Sequence, residues 1–210
     1  MKYPYVCIEG VIGAGKTSLA TRLASEYNAR LILEQFEDNP FLPKFYKEPD
    51  KYAFPLELSF LASRFQQLKD QLAPGDLFHP LTVADYFIQK SLIFARKTLG
   101  GDELSLYQRL FTIMAEILPT PGLLVFLHLD VERLRKNILE RGRDYEQDIS
   151  LDYLTRIQDG YFDYFRQKQG SRILIVNTND LDFVRREQDY QTLRSLICEE
   201  YPVGLHRITP

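Results

Sequence analysis

The sequence has no tryptophan, two cysteines, two methionines and three histidines among its 210 residues. Cys7 and Cys198 stand far apart without C-x-x-C spacing, which excludes a disulfide scaffold and predicts reduced, buried thiols in a cytoplasmic setting. His79, His128 and His206 are scattered, so no ligand spacing for a metal cluster is present. No apolar run approaches the length of a membrane span, and Met1-Lys2-Tyr3-Pro4 leads straight into a strand pattern with no signal-peptide core. A net charge of −3 gives no basic footprint for nucleic acid or an anionic membrane. What remains is 45% hydrophobic, enough for a packed core in one domain spanning 1–210.

The most informative stretch is Tyr5 to Ser18, YVCIEGVIGAGKTS. An apolar run meets Gly10, and Gly15-Lys16-Thr17 follows at the G-x-x-x-x-G-K-[ST] spacing. Leu19, Leu23 and Ala24 then recur at helical spacing. A glycine-rich turn alone means little, but here the strand before it and the amphipathic helix after it supply the required context. Backbone amides from Gly10 through Gly13, Ala14, Gly15 and Ser18 can curl around a phosphate at the helix N-terminus. Lys16 reaches the β- and γ-phosphates of a nucleoside triphosphate such as ATP, and the Thr17 hydroxyl suits Mg²⁺. This is a P-loop.

Further apolar runs at 30–34, 81–85, 123–129 and 172–176 alternate with helical patterns at 54–72, 88–99, 103–118, 131–140, 151–169 and 185–201. A helical turn is expected at 42–46, a turn-rich loop from Gln35 to Pro40, and a stop at Pro74-Gly75. Pro55 is read as lying in the first turn of its helix. The pattern predicts an α/β fold, a five-stranded parallel sheet with helices on both faces. Ligands of such sheets bind beyond the carboxyl ends of the strands, which singles out the P-loop, Glu34 and Asp85. Glu34 closes an apolar strand and is placed to take a proton from an acceptor hydroxyl. Glu57, Phe60, Leu61 and Arg64 share one helical face, so a carboxylate and a guanidinium meet apolar neighbours, a pattern suited to a planar polar ligand such as a nucleobase. Arg141-Gly142-Arg143 suits a short lid whose arginines close over phosphates.

Taken together these motifs resemble the deoxynucleoside kinases, especially the bacterial deoxyadenosine/deoxyguanosine kinase branch. The likeness rests on the P-loop, on Glu34 followed by Asp38-Asn39-Pro40-Phe41-Leu42 and Phe45-Tyr46, and on the Glu57–Arg64 helix. It extends through Ala84-Asp85-Tyr86 with Ile93-Phe94-Ala95 to Arg141-Gly142-Arg143 and Leu181-Asp182-Phe183-Val184. The resemblance implies that Glu34 activates a 5′-hydroxyl and that Tyr46 and Glu146 hold the 3′-hydroxyl. It further implies that Phe94 stacks on the base, that Arg141 and Arg143 are lid arginines, and that Asp182 and Phe183 lie near the donor adenine. It also implies a homodimer through the helices of 88–118, acting on a small deoxynucleoside and a nucleoside triphosphate.

The chain departs from that pattern in three places. Tyr86 follows Asp85 where many relatives carry an arginine. Lys90 or Ser91 stands where several have an aspartate that pairs with the base-reading arginine. Glu57 stands where many have a glutamine. An ionised glutamate only accepts hydrogen bonds, and guanine offers two adjacent donors, while Arg64 can donate to O6 and N7. Deoxyguanosine is therefore expected to be preferred over deoxyadenosine. The alternatives are a nucleoside monophosphate kinase of the thymidylate kinase type and a non-catalytic nucleotide-binding protein on the same scaffold. A neutral hydroxyl acceptor suits the carboxylates of Glu34 and Glu146 better than an anionic one.

Overall fold

A computed structural model of the chain describes residues 1–36, 39–72 and 80–210. The expected Pro74-Gly75 stop, His79, and the loop positions Glu37 and Asp38 lie outside the described residues. In order, the elements are β1 (Tyr5–Gly10), α1 (Lys16–Glu26), β2 (Arg30–Ile32), α2 (Leu42–Lys47), α3 (Pro49–Gln71), β3 (Thr82–Ala84), α4 (Gln89–Thr98) and α5 (Gly101–Ala115). Then follow β4 (Leu123–His128), α6 (Val131–Arg141), a 3₁₀ turn at Asp144–Glu146, α7 (Leu151–Gln167), β5 (Arg172–Asn177), α8 (Glu187–Cys198) and β6 (Gly204–Ile208).

The sheet is parallel throughout, in the order β2-β3-β1-β4-β5-β6. Central β1 and β4 are buried along nearly their whole length, as near-continuous apolar runs flanked by helices require. Phe126 of β4 packs against Tyr161, Phe162 and Phe165 of α7, with ring centroids 4.9 to 5.8 Å apart. This contact ties the middle of the sheet to the helix that follows the lid.

The structure adds a sixth strand to the five expected. Among the described residues β6 pairs only with β5, and its residues alternate between half-buried and exposed, with His206 and Arg207 among them. An edge strand needs one neighbour and one partly covered face, so it leaves no apolar run to read. Helix α3 also starts earlier than its apolar spacing suggests. Pro49, not Pro55, takes the first turn, and Pro55 lies inside the helix. Packing of α3 against α2, α4 and α5 carries the helix past the missing N–H.

β2 is shorter than its sequence pattern because a side chain takes over the ladder. The Glu34 N–H donates to Asp85 Oδ1 at 2.8 Å instead of to a strand carbonyl. The chain therefore leaves the sheet just where Glu34 needs to turn towards the P-loop.

Candidate active site

β1 delivers the chain to Gly10, and α1 begins at Lys16. Gly13 and Gly15 adopt φ of 89° and 84°, the left-handed region that glycine enters without strain. Neighbouring atoms also close in on both: a Cβ on Gly13 would stand 2.7 Å from the Leu134 backbone carbonyl oxygen, and one on Gly15 would stand 2.7 Å from the Phe183 ring. The Asn137 amide donates to the Gly13 carbonyl at 2.9 Å, fixing the loop from α6. Gly10 and Ala14 are buried beneath the loop, and Ser18 is exposed beyond it. Lys16 Nζ folds back on the Val11 carbonyl at 3.2 Å. Burial, and then the neighbouring Lys90, lower the Lys16 ammonium to about 8. Anionic phosphates would reverse that shift by offering the charge a partner.

Two adjoining cavities meet at the strand ends. The larger, about 840 Å³, runs over the P-loop and is walled by Leu181 to Arg185 and by α6. Asp182 and Phe183 thus lie beside the P-loop, with Phe183 packed against Gly15. The smaller, about 100 Å³, is enclosed by Tyr46, Leu56, Glu57, Phe60, Arg64, Lys90, Phe94, Glu146 and Tyr153, among others. Lys16, Thr17, Glu34, Asp85, Arg141 and Arg143 line both cavities. The space over the P-loop and a narrow, aromatic-walled space therefore share one polar seam.

Glu34 is the centre of that seam. Its Oε1 accepts from Arg64 Nε at 2.8 Å and Arg64 Nη2 at 2.5 Å, and its Oε2 accepts from Lys90 Nζ at 2.5 Å. Burial alone would raise the carboxyl, but Lys90 and Arg64 overrule it and hold Glu34 ionised far below the usual carboxylate range. The third arm of Arg64, Nη1, donates to Ser91 Oγ at 2.8 Å. Arg64 is thus spent on Glu34 and Ser91, while Glu57 on the same face meets the Thr98 hydroxyl at 2.9 Å. Beside it, the Thr17 hydroxyl donates to Asp85 Oδ2 at 2.6 Å. A hydroxyl and a carboxylate this close form an oxygen donor pair that fits a hard cation.

Around the smaller cavity, Glu146 is buried and paired with both lid arginines. Arg141 Nη2 donates to its Oε2, and Arg143 Nη1 lies 3.5 Å from its Oε1. Gly142 between them adopts φ of 74° as the C-cap of α6, ending the helix in a tight turn from which both arginines reach Glu146. Tyr46 stands edge-on to Tyr153 at 6.2 Å, and its hydroxyl is raised by burial and then by Glu146. Phe94 reaches the same cavity from α4, its ring 6.4 Å from that of Tyr161. Apart from Gly10, which is buried beneath the loop, the sequence-derived candidates line these two cavities, with Glu34 shared between them.

Sequence reasoning passed over several others. Arg133, Lys136, Asn137 and Glu140 line the larger cavity from one face of α6 together with Arg141. Their spacing of three and four was a readable signal, a charged, solvent-exposed face at the rim of that cavity. Lys90, noted in the sequence only as a departure from the family pattern, is a buried ammonium, unlike Arg96 and Lys97 at the far end of the same helix. Glu9, fully buried under the P-loop, accepts from the Tyr161 hydroxyl at 2.8 Å and the Phe87 N–H at 3.3 Å. Burial raises its carboxyl, against the pull of Lys90 and Lys16. Among the described residues no group of three or more His, Cys, Asp or Glu could hold a metal.

The family model described as Deoxynucleoside kinase matches residues 6–201. The chain is 34% identical over 204 residues to the deoxyguanosine kinase of Bacillus subtilis (strain 168), covering 93% of this chain and 97% of the relative. It is 33% identical over 198 residues to the deoxyadenosine kinase of Dictyostelium discoideum, covering 91% and 78%. The fold is shared with the deoxyadenosine kinase from M. mycoides with bound dATP, at a TM-score of 0.79, 18% identity and coverage of 93% and 100%.

Glu57 gives a measurable signature of this buried chemistry. Burial pushes its carboxyl up from 4.5 to about 7, against the pull of Arg64 and the Thr98 hydrogen bond. Below about 4.5 both folded and unfolded states hold the proton; between 4.5 and 7 only the folded state keeps it, so stability falls as pH rises. Above about 7 the penalty is complete. Glu57→Gln removes it, so the variant should gain up to about 3 kcal/mol relative to wild type between pH 4.5 and pH 8. Urea unfolding of both proteins across that range checks this; a difference independent of pH would show that Glu57 is not a buried acid.

Proposed function

The chain belongs to the deoxynucleoside kinase family, and we propose that it transfers the γ-phosphoryl group of ATP to the 5′-hydroxyl of a purine deoxynucleoside. Deoxyguanosine is the favoured acceptor and deoxyadenosine the next, with residues 1–210 acting as one catalytic domain. The observation that carries this reading is the ionised Glu34 at the seam between the P-loop cavity and the aromatic-walled one. Relatives named as deoxyguanosine and deoxyadenosine kinases support the purine class.

In this reading the P-loop amides and Lys16 hold the donor triphosphate, whose adenine lies towards Asp182 and Phe183. Thr17 and Asp85 would hold Mg²⁺, which when bound supplies neutralising charge to the phosphates. The deoxynucleoside enters the smaller cavity, its base against Phe94 and its 3′-hydroxyl between Tyr46 and Glu146. The 5′-hydroxyl donates to Glu34. The 5′-oxygen bonds to the γ-phosphorus as the bond to the bridging oxygen of ADP breaks, and the hydroxyl proton passes to the Glu34 carboxylate. Two cations make Glu34 a weak base, so its main work is orientation, in keeping with a loose transfer that needs positioning and electrostatics more than proton abstraction. Arg141 and Arg143 then close over the charge of the transferring group.

Glu57 carries the base preference. Once ionised it accepts from the N1–H and N2 amine of guanine; with its proton it offers the donor and acceptor that adenine needs. The compartment is the cytoplasm, where the free thiols of Cys7 and Cys198 stay reduced. Two copies pair through the helices of 88–118, a reading supported by Leu106, Ile113 and Ile117 standing exposed on and just after α5, at 40%, 69% and 63%.

Three outcomes follow from this reading. Glu34→Gln should lower kcat roughly 10³-fold while leaving deoxynucleoside Kd nearly unchanged; turnover near wild type would remove Glu34 from the chemistry. In competition between the two purine deoxynucleosides, Glu57→Gln should shift preference towards deoxyadenosine by at least about tenfold, the worth of a charge-assisted hydrogen bond; an unchanged ratio would dismiss Glu57 as the base reader. Sedimentation equilibrium should report a mass of two chains, and a monomer at all concentrations would refute the pairing.

A further inference from the structure

The two oxygens of Glu34 are not equivalent, and their difference, taken with the functional reading above, assigns a role to Lys90. A carboxylate oxygen has two lone-pair directions. Oε1 uses both on Arg64, through Nε and Nη2. Oε2 accepts from Lys90 Nζ and, among the described residues, from no other group. One lone pair of the clamped carboxylate therefore stays open, and it belongs to the oxygen that Lys90 holds.

The cations also differ in freedom. Arg64 is locked as a fork, with Nη1 fixed on Ser91 of α4. Lys90 is a point charge on a flexible stem, its side chain only 6% exposed. The residue after Asp85 offers no cation to share the task. Tyr86 donates instead to Gln67 Oε1 at 2.6 Å, and Gln67 in turn donates to the Leu33 carbonyl at 2.9 Å. Tyr86 thus steadies the backbone just before Glu34 and leaves the charge to Lys90, one turn further on. Glu9 holds the entry to α4 through the Phe87 N–H, which fixes the root of the lysine from below.

We propose that Lys90 is the positioning residue of Glu34, holding Oε2 so that its open lone pair receives the acceptor hydroxyl. A buried salt bridge could instead serve only to pin α4 near the end of β2, and the two roles separate in a double-mutant cycle. Lys90→Met should lower kcat roughly 100-fold, the cost of about an ångström of misplacement, with deoxynucleoside Kd kept within about threefold. Lys90→Arg should recover at least about tenfold of that loss. In a Glu34→Gln background, Lys90→Met should change the residual kcat by less than about threefold, because the group it positions is gone. An equal loss in both backgrounds, or a folded Lys90→Met enzyme turning over at the wild-type rate, would overturn the proposal. Should Lys90→Met not fold, Lys90→Gln is carried through the same cycle with the same outcomes. A wild-type enzyme with no turnover of any deoxynucleoside would overturn the functional reading itself, a separate result.

Discussion

An ionised carboxylate inside an aromatic-walled pocket needs cations, and the pairing of Glu34 with Arg64 and Lys90 is the constraint on which the site depends. The three side chains come from three places: the segment just after β2, α3 and the first turn of α4. Meeting that one electrostatic need therefore fixes how α3 and α4 stand over the sheet. Ser91 and Thr98 extend the same bonding to Arg64 and Glu57, so the polar lining of the pocket is continuous.

The sheet order makes this junction possible. β3 lies between β2 and β1, so Asp85 emerges between Glu34 on one side and the P-loop on the other. It binds both, the Glu34 N–H at 2.8 Å and the Thr17 hydroxyl at 2.6 Å. One carboxylate thereby sets the distance between the P-loop and Glu34. Positioning of this kind is the larger part of catalysis in phosphoryl transfer, where the protein contributes little covalent chemistry.

Much of this was legible in the sequence. The P-loop spacing, the buried runs of β1, β4 and β5, and Glu34 and Asp85 at strand ends follow from local patterns with a strong physical cause. The shared face of Glu57 and Arg64 was legible too, but not its use: Arg64 bonds Glu34 across about thirty residues of chain, and no local period encodes that pairing. The role of Lys90 was hidden because a lysine in a helix that also carries Arg96 and Lys97 looks like another solvent-reaching end until its partner Glu34 is known. β6 escaped because an edge strand with alternating exposure has no buried run, and the start of α3 because Pro55 looked like a boundary that tertiary packing overrides.

The central claim is that Glu34 serves a neutral hydroxyl acceptor on a purine deoxynucleoside. The most direct measurement is product formation by the purified wild-type protein with ATP and Mg²⁺, offered the four deoxynucleosides and their monophosphates in parallel and resolved by chromatography. The account predicts deoxyguanosine monophosphate as the main product, deoxyadenosine monophosphate next, and little from the pyrimidines. Diphosphate formed from a supplied monophosphate, with the deoxynucleosides left untouched, would contradict it.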